Sequence, residues 1–197
     1  MTAPLLLGTR NHGKVSELRA LLRGLDRELV AVDDLADPPP DPPEDGATYE
    51  ANAVAKALAY ARATGLPTVA DDSGLEVSAL GGAPGVRSRR YFGEDVAPAD
   101  RNAMLLALLD GVADRSARFV SVIALAQPDG QVETFSGEVR GEIATAPRGE
   151  AGFGYDPVFV IAGDGRTMAE VPREEKNAIS HRALAALKLR AALAGGR

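Results

Sequence analysis

Two adjacent acids, Asp71 and Asp72, have the residue types and spacing that most clearly suit chemistry in this 197-residue chain. They follow a short apolar run that is typical of a β-strand, and a Ser-Gly pair comes directly after them. Paired carboxylates at a strand end suit a hard metal ion or a proton-accepting base. Three arginines follow in a glycine-proline loop: Arg87, Arg89 and Arg90. Because guanidinium groups suit polyanions, the segment indicates a divalent metal with a phosphorylated ligand. A solvated turn and surface arginines would explain each part alone.

A second segment that suits anion binding lies near the N-terminus. An apolar run over residues 3–7 precedes a polar loop, and a helical apolar pattern begins near residue 13. Backbone N–H groups and the helix dipole face such a loop, so a strand, a short loop and a helix N-terminus together attract anions. The loop lacks the Walker A pattern, and a plain strand-to-helix turn is the alternative. Its members are Thr9, Arg10, Asn11, His12, Gly13 and Lys14.

Two further segments carry residues suited to a nucleoside. The stretch PRGEAGFGYD combines glycines, which allow close backbone approach, with the rings of Phe153 and Tyr155. Rings near a phosphate site suit stacking on a base, although packing into the core would also explain them. Near the C-terminus, Ser180 is suited to cap a helix and places His181 and Arg182 in its first turn. Cations oppose the helix dipole there, and such local conflicts are expected at functional sites.

Composition places the chain among soluble globular proteins. Hydrophobic residues make up 45% and charged residues 25%, which are ordinary values for that class, and residues 1–197 fit a single domain. The formal net charge of −6 argues against non-specific binding to nucleic acid or anionic membranes, both of which require a basic surface. There is no cysteine, no apolar run as long as a membrane span, and no secretory signal pattern. A cytoplasmic enzyme is predicted.

The apolar patterns alternate between strand and helix periods, which predicts an α/β fold. Residues 37–46, DPPPDPPEDG, cannot form regular structure because of their prolines. A helix over residues 48–64 should stop at Gly65, with Pro67 beyond it. Strands are predicted over residues 3–7, 28–32, 75–80, 118–126 and 132–138, and further helices over 98–109 and 180–193. The apolar stripe of the helix over 98–109 is interpreted as core or as a dimer contact.

Four separated segments resemble, in order, the motifs of the inosine triphosphate pyrophosphatase (Ham1-like) family. They are T-x-N-x-x-K-x-x-E, which ends at Glu17; ADDSGLEVSALGGAPGVRSRRYFGE; GFGYDPVF; and EK-x-x-x-SHR. Through these four separated motifs, the resemblance extends over nearly the whole chain. The resemblance implies an α/β fold with a long central mixed β-sheet flanked by helices. It also implies two lobes around a nucleotide-binding cleft, and usually a homodimer.

Carried over residue by residue, the resemblance implies roles for these segments. Asp72 would accept the proton of the attacking water, and Asp72 and Glu44 would hold Mg²⁺. Glu50 and Asn52 are expected to organise the site. The implied substrate-binding residues are Thr9, Arg10, Asn11, His12, Gly13, Lys14, Ser73, Phe153, Gly154, Tyr155, Asp156, Lys176, His181 and Arg182. The N-terminal group and Ser73 would bind the triphosphate, residues 153–156 the nucleoside, and the last three residues the base.

The implied reaction is hydrolysis of ITP, dITP and XTP to the monophosphate and pyrophosphate, which removes non-standard purine nucleotides from the pool. Hypoxanthine and xanthine present an oxygen acceptor at position 6, where adenine presents an amino donor. Donors such as Arg182 or a protonated His181 would therefore discriminate between them. Guanine shares that oxygen, and the sequence does not identify the group that excludes it.

Two alternative functions stay open. One is a pyrophosphatase that acts on pyrimidine or other modified nucleotides, and the other is a nucleotide-binding module without turnover. The presence of Asp72 and Glu44 speaks against the second, because a binding module needs no base. An assay of pyrophosphate release across several nucleotides distinguishes all three.

Overall fold

The computed structural model describes residues 3–195, which form an α/β fold with a mixed six-stranded sheet. The strands are β1 (Leu5–Leu7), β2 (Leu29–Ala31), β3 (Thr68–Val77), β4 (Ser116–Ala126), β5 (Val132–Ile143) and β6 (Phe159–Ile161). The helices are α1 (His12–Leu21), α2 (Tyr49–Thr64), α3 (Pro98–Leu108), α4 (Arg173–Ile179) and α5 (His181–Gly195). The strand order is β2-β1-β3-β4-β5-β6. Because β1 pairs in parallel with β2 and β3, and β5 pairs antiparallel with β6, the predicted α/β class with a mixed sheet is confirmed.

Helix α2 shows how local sequence determines the bounds of an element. Thr48 has an extended backbone, and its hydroxyl oxygen accepts a hydrogen bond from the Ala51 backbone N–H at 3.1 Å. This satisfies a donor that the first helical turn leaves without a partner. Gly65 ends the helix at φ +69°, a left-handed conformation that glycine adopts without a Cβ penalty. The helix predicted over residues 48–64 is therefore confirmed.

The chain divides into two compact units. The first comprises residues up to Asp72, Ser121–Gly137 and the residues from Arg182 onward, and the second comprises Ser73–Val120 and Glu138–His181. The predicted domain 1–197 also includes residues 1–2 and 196–197, which lie outside the described residues. Among residues 3–195, no helix has the length and apolar character needed to cross a membrane.

In the first unit, the pleat of β1 and β3 sorts side chains onto two faces of the sheet. Leu5 and Leu7 belong to a core with residues of α1 and α5, whereas Leu6 packs with Tyr60 of α2. Val69 of β3 lies in the core that contains α1 and α5. Every second side chain of β3, counted from Val69, therefore faces α1 and α5. The side chains between them face α2.

In the second unit, the core forms between α3 and the strands. Leu105 and Leu109 are fully buried in it, whereas Met104 and Leu108 are 45% and 46% exposed. Successive residues of a helix are rotated by about 100° around its axis. Met104 and Leu108 are therefore turned away from the core that buries Leu105 and Leu109. The interpretation as core is confirmed for Leu105 and Leu109.

Two sequence-based element assignments are wrong, and two short elements were missed. Strand β3 is continuous from Thr68 to Val77, so Asp71 and Asp72 lie inside a strand and not at its end. The strand predicted over residues 75–80 is the last part of β3, followed by a short 3₁₀ turn over 78–80. Strand β6 and helix α4 were not predicted, because three and seven residues are too few to establish a period.

Candidate active site

The two adjacent acids of β3 have different surroundings, because consecutive side chains of a strand point to opposite faces. Asp71 shares the face of Val69, and its Oδ2 accepts a hydrogen bond from Arg182 Nε of α5 at 3.0 Å. Asp72 is on the other face, and its Oδ2 accepts a hydrogen bond from Asn52 Nδ2 of α2 at 2.8 Å. Both are buried, at 0% and 5% exposure. The pleat therefore separates an ion-paired acid from one that a neutral amide holds.

Arg182 is the centre of a buried ion-pair network in the first unit. Its side chain is 1% exposed, its Nη2 lies 2.9 Å from Asp71 Oδ2, and its Nη1 donates to Glu17 of α1. Lys14 adds a second cation, with its Nζ 3.3 Å from Asp71 Oδ1. Burial raises the pKa of Asp71, but Arg182 and Lys14 outweigh it and hold that pKa well below its ordinary value. The two cations therefore favour the charged form of the Asp71 carboxylate.

Asp72 is the carboxylate suited to accept a proton. Burial raises its pKa, while Lys14, the Asn52 hydrogen bond and Lys56 oppose that rise, and Glu44 adds to it. A carboxylate whose pKa is raised toward the working pH is a better general base.

Asn52 of α2 connects Asp72 to the loop that carries Glu44. Its Nδ2 donates to Asp72, and its Oδ1 accepts a hydrogen bond from the Gly46 backbone N–H at 2.8 Å. Glu44 itself forms an ion pair with Lys56, four residues after Asn52 on the same helix face. Asn52 thus links the Asp72 carboxylate to the backbone at Gly46.

The donor set of Glu44 and Asp72 fits Mg²⁺. Within residues 3–195, no group of three or more His, Cys, Asp or Glu side chains is arranged to hold a metal ion. Mg²⁺ is commonly held by one or two carboxylates, while substrate phosphates and water complete its oxygen shell. Asp72 and the loop that carries Glu44 are connected through Asn52, so these two carboxylates suit an ion that arrives with a nucleotide.

The loop between β1 and α1 joins a buried strand to a helix N-terminus, as predicted. Asn11 caps α1 by accepting a hydrogen bond from the Lys14 N–H at 3.2 Å, and Thr9 Oγ1 accepts one from the Asn11 N–H at 3.2 Å. The Lys14 ammonium donates to the Asp71 carbonyl oxygen at 3.3 Å. Burial lowers the pKa of Lys14, although Asp71 opposes the shift. The loop thus places a cation beside the acids of β3.

The remaining residues of this loop have varied environments. His12 is exposed and Gly13 is half-buried in the first turn of α1. Arg10 contacts the segment DPPPDPPEDG, and its Nη2 donates to the Pro39 carbonyl oxygen at 2.7 Å. Its guanidinium is therefore engaged by protein groups.

In the second unit, the predicted nucleoside segment is held by a buried ion pair. Asp156 Oδ2 accepts hydrogen bonds from the Phe153 N–H at 2.7 Å and from Lys176 Nζ at 2.6 Å. Lys176 Nζ also lies 5.1 Å from the centroid of the Phe153 ring, within cation–π range. Asp156 and Lys176 are buried, whereas Phe153 and Gly154 are half-buried. The pair therefore fixes the Phe153 ring while leaving part of it accessible.

Tyr155 and His181 are core side chains of the same unit. The Tyr155 hydroxyl donates to the Ser88 carbonyl oxygen at 2.9 Å, and burial raises the pKa of Tyr155. His181 is 5% exposed and stacks on Phe119, with ring centroids 4.8 Å apart. Phe153 is therefore the aromatic ring of this segment that remains able to stack on a base.

The predicted site residues fall into one group in each unit. The group in the first unit is Thr9, Arg10, Asn11, His12, Gly13, Lys14, Glu44, Asp72 and Arg182, and the group in the second is Ser73, Phe153, Gly154, Tyr155, Asp156, Lys176 and His181. Sequence reasoning missed Lys56, although its spacing of four from Asn52 was a usable signal. It also missed Asn102 of α3, whose Nδ2 donates to the Gly154 carbonyl oxygen at 3.1 Å. Nothing in the sequence around Asn102 indicated that contact.

Comparison with known proteins identifies the family of this chain. The chain matches the sequence model of the Ham1 family over residues 5–192. A Geobacter sulfurreducens protein named dITP/XTP pyrophosphatase is 51% identical over 188 residues, which cover 93% of this chain and 94% of that protein. A Deinococcus radiodurans protein of the same name is 49% identical over 184 residues, with 92% and 90% covered.

Solved structures give the same result. A HAM1 protein from Coxiella burnetii has a TM-score of 0.89 and 41% identity, with 98% of this chain and 99% of that chain covered. The Ham1 protein of Staphylococcus aureus has a TM-score of 0.88 and 39% identity, with both chains fully covered. The family match extends over nearly all of the sequence, and both structures are similar over nearly their full length. This chain therefore belongs to the Ham1 family.

Proposed function

We propose that this protein hydrolyses dITP, XTP and ITP to the nucleoside monophosphate and pyrophosphate. Relatives about half identical to it, over 80% to 94% of their length, carry the name dITP/XTP pyrophosphatase. The observation that carries the proposal is the environment of Asp72, a buried carboxylate with a raised pKa beside the charges of Lys14, Lys56 and Glu44. That environment suits a proton acceptor next to a bound polyphosphate.

In the proposed reaction, a water molecule adds to the α-phosphorus of the nucleotide. The bond from that phosphorus to the oxygen bridging the α and β phosphates breaks, and pyrophosphate leaves. Asp72 takes up the proton of the water. Lys14 and the backbone N–H groups at the start of α1 bind the phosphate oxygens, so that increasing negative charge is matched by donors already in place.

Glu44 and Asp72 would hold Mg²⁺ in this reaction. When bound, the ion neutralises charge that develops on the phosphates. Asn52 orients both ligands, since it binds Asp72 directly and fixes the backbone at Gly46. Lys56 holds the Glu44 carboxylate in the absence of the ion.

The base would stack on Phe153, with Lys176 as the donor that recognises it. Lys176 is held beside the ring by Asp156, and an ammonium group can donate to the 6-oxygen of hypoxanthine or xanthine. Adenine has a donor at that position, so it would leave the buried ammonium without an acceptor. A homodimer in the cytoplasm, without nucleic-acid or membrane partners, completes the proposal, and light scattering on the purified protein would test the dimer.

The proposal is tested by pyrophosphate release with Mg²⁺ and, separately, ITP, dITP, XTP, GTP, ATP and dTTP. Asp72→Asn is the test variant, and Asp34→Asn, an exposed acid of the same unit, is the control. Release from ITP, dITP and XTP well above the others, lost only in Asp72→Asn, is expected. Preference for dTTP would replace the substrate class, and binding of ITP without release would indicate a binding module. Full activity of Asp72→Asn would overturn the role of Asp72.

A further inference from the structure

The segment that carries Glu44 is unusually stiff for a loop. Residues 37–46, termed the acidic loop, have no regular secondary structure and contain five prolines: Pro38, Pro39, Pro40, Pro42 and Pro43. Each proline restricts φ to about −65°. Two of them separate Asp41 from Glu44. A contact that holds Asp41 therefore also restricts the position of Glu44.

Two elements of the first unit hold Asp41. Arg10, from the loop between β1 and α1, places its Nε 3.0 Å from Asp41 Oδ1. Tyr60 of α2 is 1% exposed and donates its hydroxyl to the same oxygen at 2.5 Å. Arg10 also donates to the carbonyl oxygen of Pro39. The N-terminal half of the acidic loop is thus fixed to both neighbouring elements.

The other end of the acidic loop is fixed separately. The Gly46 N–H donates to Asn52, and Glu44 pairs with Lys56, both on α2. Glu44 therefore lies between an anchor three residues before it and another two residues after it. Because the two anchors are only five residues apart and two prolines lie between them, the backbone at Glu44 has few accessible conformations. The Glu44 carboxylate is therefore restricted in position whether or not it is ion-paired.

We propose that Asp41 is a positioning residue that prepares Glu44 to bind a divalent cation. Arg10 and Tyr60 hold Asp41, and the intervening prolines transmit that restraint to Glu44. The inference rests on the proposed role of Glu44 as a Mg²⁺ ligand. In this proposal, Arg10 binds the acidic loop and does not contact the nucleotide directly. Since the Asp41 side chain is 62% exposed, its ion pair is weak, and the effect on Mg²⁺ is expected to be about 3- to 10-fold.

Asp41→Ala and Asp37→Ala form a matched pair, because both remove one exposed carboxylate from the same loop but only Asp41 meets Arg10 and Tyr60 in the contacts above. The Mg²⁺ concentration that gives half-maximal pyrophosphate release should rise about 3- to 10-fold in Asp41→Ala. It should stay within about twofold of wild type in Asp37→Ala, with kcat at saturating Mg²⁺ within about twofold in both. Asp41→Asn keeps an oxygen acceptor and should give an intermediate value.

Hydrogen exchange of the acidic loop provides a readout that does not depend on turnover. Without Mg²⁺, the Gly46 amide, which donates to Asn52, should exchange faster in Asp41→Ala than in wild type or Asp37→Ala. Tyr60→Phe should give part of that increase, and adding it to Asp41→Ala should give little more, because both remove the same contact.

Equal exchange rates in Asp41→Ala and Asp37→Ala would contradict the proposal that Asp41 anchors the acidic loop. Faster exchange with an unchanged Mg²⁺ requirement would overturn the link to Glu44. If wild-type protein releases no pyrophosphate from any nucleotide, the proposed function fails. In that case the exchange comparison between Asp41→Ala and Asp37→Ala still tests the anchor. Slower exchange of the wild-type loop on addition of Mg²⁺ would support a cation site, and unchanged exchange would contradict it.

Discussion

Arg182→Met should lower the free energy of unfolding by about 3–5 kcal/mol, because removal of one partner leaves buried charges uncompensated. The Arg182 side chain is 1% exposed and contacts both Asp71 and Glu17, whose side chains are 0% and 11% exposed. Lys14 remains 3.3 Å from Asp71 in the variant, so it compensates Asp71 in part. Methionine preserves most of the apolar stem of arginine, so the loss reports mainly on charge.

Thermal and urea unfolding followed by circular dichroism would measure this loss. For a chain of this size, each kcal/mol lowers Tm by about 2–4 °C, so the expected decrease is about 6–20 °C. Arg19→Met is the matched control, because Arg19 and Asp34 form an exposed pair at 47% and 49% exposure, a kind of pair worth about 0–1 kcal/mol. Equal destabilisation by the two variants would refute the assignment of Arg182 to a buried network.

The same prediction has a definite dependence on pH. The folded-state pKa of Asp71 lies below its unfolded value, because Arg182 and Lys14 outweigh the effect of burial. Its contribution to stability is therefore present above the unfolded pKa, about 3.9, and is lost as pH falls through the lower folded-state value. The difference between wild type and Arg182→Met should be largest near neutral pH and decrease below about pH 4. Adding Asp71→Asn to Arg182→Met should restore part of the stability, since it removes one of the uncompensated charges.

Three further predictions concern the proposed reaction, and a fourth concerns folding. Asn52→Ala should reduce kcat about 10- to 100-fold with a smaller change in KM, because Asp72 and Gly46 lose their shared partner; steady-state kinetics with ITP would check it. Asn102→Leu should raise the KM for ITP about 10-fold with little change in kcat, since it releases the Gly154 carbonyl; an unchanged KM would contradict this. Chelation with EDTA should abolish pyrophosphate release, and added Mg²⁺ should restore it. Gly152→Ala should lower Tm, because φ is +78° there and a Cβ would collide with Asp156.

Local sequence was sufficient wherever an element depends on its own residues. The bounds of α2 follow from the Thr48 cap and the Gly65 stop, and α1 begins directly after its Asn11 cap, close to the predicted start. Each of these features depends on residues that are a few positions apart in the chain, so it can be recognised from the sequence. The four motifs also identified the family, because each keeps its residue types in order.

Only the tertiary structure distinguished the two neighbouring acids. Arg182 reaches Asp71 across 111 positions and Glu17 across 165, and no local pattern encodes those pairings. The pleat of β3 then places Asp71 among cations and Asp72 against α2. Because a strand reverses side-chain direction at every residue, two carboxylates that are equivalent in the sequence become an ion-paired structural group and a candidate base.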